Sequence, residues 1–367
     1  MDTNNPYLLL TPGPLSTTAS VKHTMLRDWC TWDEDYNLGV VQPIRHTLTK
    51  LATAAAGYST VLMQGSGSFS VESVIGSCVP KQGQLLVLVN GAYGERIATM
   101  ARQLNIDTLC LIASETQSVS ARELDEFLKL NQNITHVATV HCETTTGILN
   151  PVEQYAPIIK QHQKVWIVDA MSSFGGIPID MNALGIHFLI SSANKCIQGV
   201  PGFGFIIAKQ SALEACKGLA RSHSLDLYDQ WHTMEQGCGK WRFTSPTHVV
   251  RAFQKALEEL AQEGGISARH ARYRKNHAVL VNGMTELGFR CVIEQDKQSP
   301  FITTFHTPDS EKFNFKTFYT RLKEYGFVIY PGKVAQTPCF RIGHIGDVQP
   351  ADIEELLNAI SNNRYWV

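Results

Sequence analysis

The chain has 367 residues, 44% of them hydrophobic, enough for one large core and a second smaller one, so two domains are expected. A formal net charge of −1 excludes a general attraction to nucleic acid or to an acidic membrane surface. The apolar runs are strand length, the start Met-Asp-Thr-Asn-Asn-Pro lacks a signal-peptide pattern, and the nine cysteines form no CxxC pair and no zinc spacing, so a cytoplasmic protein with reduced thiols, no membrane span and no metal is expected.

In chain order, short apolar runs at 59–63, 85–90, 108–113, 136–141, 165–169, 188–191 and 204–208 read as strands. Helical patterns at 68–79, 94–104, 120–130 and 152–161 fill the earlier gaps. Continuous apolar strands separated by helices predict a mostly parallel seven-stranded sheet covered on both faces. The link from 191 to 204 is too short for a crossover helix, so the last strand is predicted antiparallel to its sequence neighbour. Residues 246–287 read as long helices broken at Gly264 and Gly265. A second α/β pattern follows, with strands near 301–305, 327–330 and 339–342 and helices near 313–325 and 352–362. The fold class is therefore α/β, with a large domain over 1–260 and a smaller C-terminal domain over 261–367.

In open α/β sheets ligands bind at the carboxyl ends of strands, so the residues following each strand carry the chemistry. Gln64-Gly65-Ser66-Gly67-Ser68 opens a helix; its glycines, hydroxyls and free N–H groups suit a phosphate. Taken alone it is equally an ordinary glycine turn with a serine cap. It is not a dinucleotide fingerprint, since Ser70 stands at the third glycine and the next strand ends in Asn90. Tyr93, between Gly91 and Gly94, can stack on a flat ring; in isolation a partly buried surface tyrosine is the better reading. Thr144, Thr145 and Thr146 can donate to a phenolate, or simply serve strand and turn. Asp169 ends the run Val165-Trp166-Ile167-Val168, and a carboxylate so placed needs a strong donor such as a pyridinium N–H, or else is a helix-capping or structural aspartate. Lys195 lies between an apolar strand and the turn Gln198-Gly199-Val200-Pro201-Gly202, where desolvation makes an amine nucleophilic. Together these groups match the phosphate, ring face, O3′, ring nitrogen and aldehyde of pyridoxal 5′-phosphate (PLP).

Further stretches include Leu8-Leu9-Leu10-Thr11-Pro12-Gly13-Pro14, Cys30-Thr31-Trp32-Asp33, Glu143-Thr144-Thr145-Thr146-Gly147, Asp169-Ala170-Met171-Ser172-Ser173, Ser191-Ser192-Ala193-Asn194-Lys195-Cys196, Trp241-Arg242-Phe243-Thr244, Tyr330-Pro331-Gly332-Lys333 and Cys339-Phe340-Arg341-Ile342-Gly343. Over almost its whole length the chain resembles the class V, fold-type I PLP-dependent aminotransferases, and among them the family that moves the amino group of 2-aminoethylphosphonate to pyruvate. The resemblance implies a homodimer with a composite site and a segment 1–20 near that site. It implies that Lys195 carries the cofactor as a Schiff base and shuttles the proton, and that Asp169 pairs with the ring nitrogen while Tyr93 stacks on the ring. Ser66, Gly67, Ser68 and Asn194 would hold the phosphate, with Thr244 lent by the other subunit; Thr144 would lie near O3′, and Arg341 would grip the substrate anion. Threonine often stands at Ser68 in the family, and the hydroxyl is kept. A serine- or alanine–glyoxylate aminotransferase on the same scaffold is the alternative. A cysteine desulfurase is disfavoured because Asn194 stands where that family has histidine, and a non-enzymatic binding protein because Asp169 and Lys195 occur together.

Overall fold

The computed structural model describes residues 6–332, 334 and 337–367, so Lys333 lies outside the described residues. The seven apolar runs form one sheet: β1 (Tyr58–Gln64), β2 (Gln84–Val89), β3 (Asp107–Ile112), β4 (Ile134–Val140), β5 (Val165–Asp169), β6 (Phe188–Ser192) and β7 (Phe203–Lys209). Their spatial order is β1-β7-β6-β5-β4-β2-β3. Strand β7 runs antiparallel to both β6 and β1, and every other neighbouring pair is parallel. The central strands are buried on both faces, which is why they are unbroken apolar runs. Helices α1 (Gly67–Cys78), α2 (Ala92–Gln103), α3 (Ala121–Leu130) and α4 (Val152–Gln161) supply the cover. Ser120 and Glu123 form a reciprocal capping box that starts α3 where its sequence indicates.

Two long helices follow, α5 (Thr247–Glu263) and α6 (Gly265–Glu286). Gly264 ends α5 with a left-handed φ of 105°, a conformation that glycine adopts without a Cβ penalty. Helix α6 spans separate apolar clusters: Ile266 packs in the large-sheet core, while Leu280 and Met284 join Phe289, Phe318, Phe340 and Trp366. That second core lies beneath a three-stranded antiparallel sheet of β8 (Ile302–His306), β9 (Tyr330–Pro331) and β10 (Cys339–Gly343), in the order β8-β10-β9. Helices α7 (Phe315–Glu324) and α8 (Pro350–Asn362) cover it.

One predicted strand differs. The run 327–330 is two short strands: Phe327–Val328 pairs in parallel with Leu8–Leu9, and Tyr330–Pro331 pairs with β10. Pro331 has no N–H to extend the ladder, and the N-terminal segment supplies a distant partner. The same segment then crosses the carboxyl edge of the large sheet, bringing the Pro12 carbonyl to Lys195.

Candidate active site

The chain turns from β1 into α1 at Gly65, whose φ of 103° favours glycine and where a Cβ would lie 2.6 Å from the Phe69 ring. Ser66 stands at the N-cap of α1, yet its hydroxyl makes no capping bond and the first turn carries no acid. The hydroxyl and the free N–H groups of that turn are therefore available to an anion.

Asp169 ends β5 and is 5% exposed. Its Oδ1 accepts the Met171 N–H at 2.9 Å, and among the described residues Oδ2 has no donor. Burial raises the carboxyl to about 6, against the Met171 hydrogen bond and the charges of Lys195 and Arg96, which pull it down. Lys195 leaves the end of β6, and its Nζ donates to the Pro12 carbonyl at 2.5 Å. Loss of hydration lowers this amine to about 8, and Asp169 opposes the shift. Gly13 makes the approach of the N-terminal segment possible, because a Cβ there would lie 2.7 Å from Nζ.

Tyr93 lies in the first turn of α2 and donates its backbone N–H to Oε2 of Glu143 at 3.0 Å. Glu143 is fully buried and also accepts the Thr145 hydroxyl at 2.7 Å. Burial raises it to about 7, and those hydrogen bonds hold it back from rising further. Gly91 is required beside it: a Cβ there would lie 2.4 Å from Glu143 Cγ. Glu143 thus ties the start of α2 to the threonine turn, a role its place in a turn-like run does not disclose. Its one available signal is faint, a carboxylate shortly beyond the end of β4 at Val140.

Arg341 on β10 is 2% exposed, while Phe340 and Ile342 are buried on the core side. Its Nε donates to the Pro331 carbonyl at 2.9 Å and its Nη1 to the Thr144 carbonyl at 2.8 Å. Among the described residues no carboxylate forms an ion pair with it. A buried guanidinium that donates to two neutral carbonyls keeps its full charge for an anionic partner. Burial pushes its pKa down, so the site gives up hydration to keep this cation in place.

Ser66, Gly67, Ser68, Tyr93, Thr144, Asp169, Asn194 and Lys195 line one cleft of about 190 Å³. Arg96, Cys142, Ser172 and Ser192 line it as well, and nothing in their local sequence marks them. Thr244 is not brought to this cleft by its own chain; it sits in a separate surface depression with Thr31, Lys240 and Phe243. The free donors at α1, the unpartnered oxygen of Asp169 and the desolvated amine of Lys195 fit the phosphate, protonated ring nitrogen and aldehyde of PLP.

Residues 37–348 match the family model described as aminotransferase class-V. A Vibrio vulnificus (strain YJ016) protein named 2-aminoethylphosphonate–pyruvate transaminase is 62% identical over 362 residues, covering 99% of both chains. A Phocaeicola vulgatus protein of the same name is 59% identical over 358 residues, covering 97% of this chain and 98% of its own. Among solved structures, an alanine–glyoxylate aminotransferase from Nostoc sp. superposes with a TM-score of 0.88 at 24% identity, covering 99% of this chain and 96% of its own, a likeness of fold. With the sheet order, the strand-end site and a family match over most of its length in agreement, the chain belongs to the class V aminotransferases of fold-type I.

Proposed function

We propose that this chain transfers the amino group of 2-aminoethylphosphonate to pyruvate, giving phosphonoacetaldehyde and L-alanine, with PLP as cofactor. The observation that carries this reading is full-length identity of about 60% to relatives that bear the name of that reaction. The buried, carbonyl-held Arg341 within electrostatic reach of Lys195 supports it from the site side.

When bound, PLP supplies an electron sink for the charge left when a proton leaves the substrate carbon. The residues of the chain do the rest. Ser66, Gly67, Ser68 and Asn194 would hold the phosphate, Tyr93 would cover the ring face and Thr144 would serve O3′. Asp169 holds a proton on the ring nitrogen through its unpartnered oxygen. Lys195 Nζ, released from the Pro12 carbonyl, moves the substrate proton as general base and then general acid; an amine near pKa 8 is poised for both. Arg341 takes the phosphonate in one half-reaction and the carboxylate of pyruvate in the other, since a planar guanidinium accepts either geometry. On this reading the part up to residue 260 carries the cofactor groups and the part after it carries Arg341, so substrate is held between them. A cytoplasmic location belongs to the proposal, and the nine unpaired cysteines suit a reducing compartment.

Assaying a panel of amino donors with pyruvate and glyoxylate tests the reading. Phosphonoacetaldehyde and alanine should form with the highest kcat/KM. Turnover of serine or alanine with glyoxylate, and none of 2-aminoethylphosphonate, would establish the glyoxylate alternative instead.

Substituting Arg341→Ala should lower kcat/KM about tenfold to a hundredfold in both half-reactions, the cost of a charged hydrogen bond. PLP should stay bound, as its absorbance will report. Arg341→Lys should recover only part, because the charge returns without the fork. Unchanged kcat/KM in the alanine variant would place the substrate anion elsewhere.

A homodimer with a composite site is also proposed. Thr244 is exposed beside Phe243, which is 47% exposed, and Trp32 is 79% exposed, apolar surface that suits burial by a second copy. Mixing Lys195→Ala and Thr244→Ala subunits should change activity non-additively. A fully active monomer by light scattering would refute the composite site.

A further inference from the structure

We propose that Arg96 is the cation of the cofactor-phosphate site, closing from α2 the anion cradle that Ser66, Gly67 and Ser68 open at the start of α1. The inference rests on the PLP reading above. A phosphate monoester brings close to two negative charges at neutral pH, while the cradle's own donors, two hydroxyls and helix N–H groups, are neutral. Among the described residues the cleft lining holds two cations, Lys195 and Arg96. Lys195 is engaged at the Pro12 carbonyl, and Arg341 is held by the Pro331 and Thr144 carbonyls. That leaves Arg96.

Its position suits the task. Nη1 makes a long contact of 3.5 Å to Ser68 Oγ, and Cζ lies 4.9 Å from the centre of the Tyr93 ring. Among the described residues no carboxylate forms an ion pair with Arg96, so its charge is not already neutralised. That charge also reaches the cleft floor, where it helps to hold down the pKa of Asp169. Resting the guanidinium on Tyr93 restricts an otherwise mobile side chain and aims it along the ring face toward Ser68. From there a planar fork can take two phosphate oxygens at once.

A purely structural role, bracing the Tyr93 ring, predicts something different, and pyridoxal separates the two because it has the ring without the phosphate. Full-length enzyme would be dialysed against graded PLP or graded pyridoxal, with bound cofactor read by absorbance. In Arg96→Ala the Kd for PLP should rise about tenfold, the lower end for a charged hydrogen bond because Arg96 is exposed. The Kd for pyridoxal should stay at its wild-type value, and Arg96→Lys should recover part of the PLP affinity. Arg96→Gln, checked by circular dichroism, repeats the test should the alanine variant misfold. Equal weakening of PLP and pyridoxal, or no weakening of either, overturns the proposal. So does a loss confined to the KM for 2-aminoethylphosphonate, which would assign the cation to the substrate. Wild-type enzyme that takes up neither cofactor would overturn the PLP reading itself, an outcome distinct from the other three.

Discussion

Lys195→Ala should abolish transamination, with a loss of at least about 10⁴-fold in kcat, while the fold persists. Among the described residues Lys195 is the sole lysine in the cleft lining, so none of their amines can replace it there. Its carbon stem leaves the end of a buried strand, and removing it deletes one hydrogen bond, to the Pro12 carbonyl. The fold should tolerate that, and circular dichroism should match wild type. The loss is large because one atom serves two purposes, attack on the cofactor aldehyde and proton transfer. Desolvation brings the amine to about 8, so near that pH about half of it is neutral, far more than for an exposed lysine. Borohydride should fix PLP to wild-type protein and leave the variant unlabelled. Covalent labelling of Lys195→Ala in the absence of added amine would show that another residue holds the cofactor.

Asp169→Asn should keep some cofactor but lower kcat by about 10²–10³-fold, the cost of removing one member of a buried charge pair. The amide is nearly isosteric and can still accept the Met171 N–H, so local geometry should survive. It cannot stabilise a protonated ring nitrogen, and without that proton the ring is a poor electron sink. The sign of the pH dependence follows from the same group. Burial raises the carboxyl to about 6, so it is charged above that pH and neutral below it. Cofactor affinity of wild-type protein should therefore fall as the pH drops through about 6, and Asp169→Asn should flatten that limb. Cofactor pairing with the carboxylate shifts the limb to lower pH once PLP is in place. Transamination by the asparagine variant near the wild-type rate would sink the assigned role.

Much of this molecule is readable in its sequence, for definite physical reasons. A parallel strand buried on both faces has to be a continuous apolar run, so 165–169 is predicted and found with the same ends. The helix break at Gly264 is visible because few other residues adopt its left-handed φ. The antiparallel β7 follows from a link too short for a crossover helix. Lys195 and Asp169 stand out because a charge directly after an apolar strand has no solvated role there. Glu143 and Arg96 do not stand out, since a carboxylate in a threonine turn and an arginine on a helix face look the same with or without a task.

What the tertiary structure decided is which distant segments meet. Leu8–Leu9 pairs with Phe327–Val328, and the Pro12 carbonyl reaches Lys195, contacts that leave no local periodicity to detect. Alternation along 339–342 shows that Arg341 points away from Phe340 and Ile342, which only excludes their core. Its burial against the Thr144 carbonyl follows from packing β10 over the threonine turn, across 197 residues of chain. Local propensity and burial pattern act over a few residues and are written in the sequence. Arg96 lines the cleft itself, while Glu143 and Arg341 reach it through the backbones of Tyr93 and Thr144, and that arrangement depends on how the two cores pack, which no short stretch of sequence encodes.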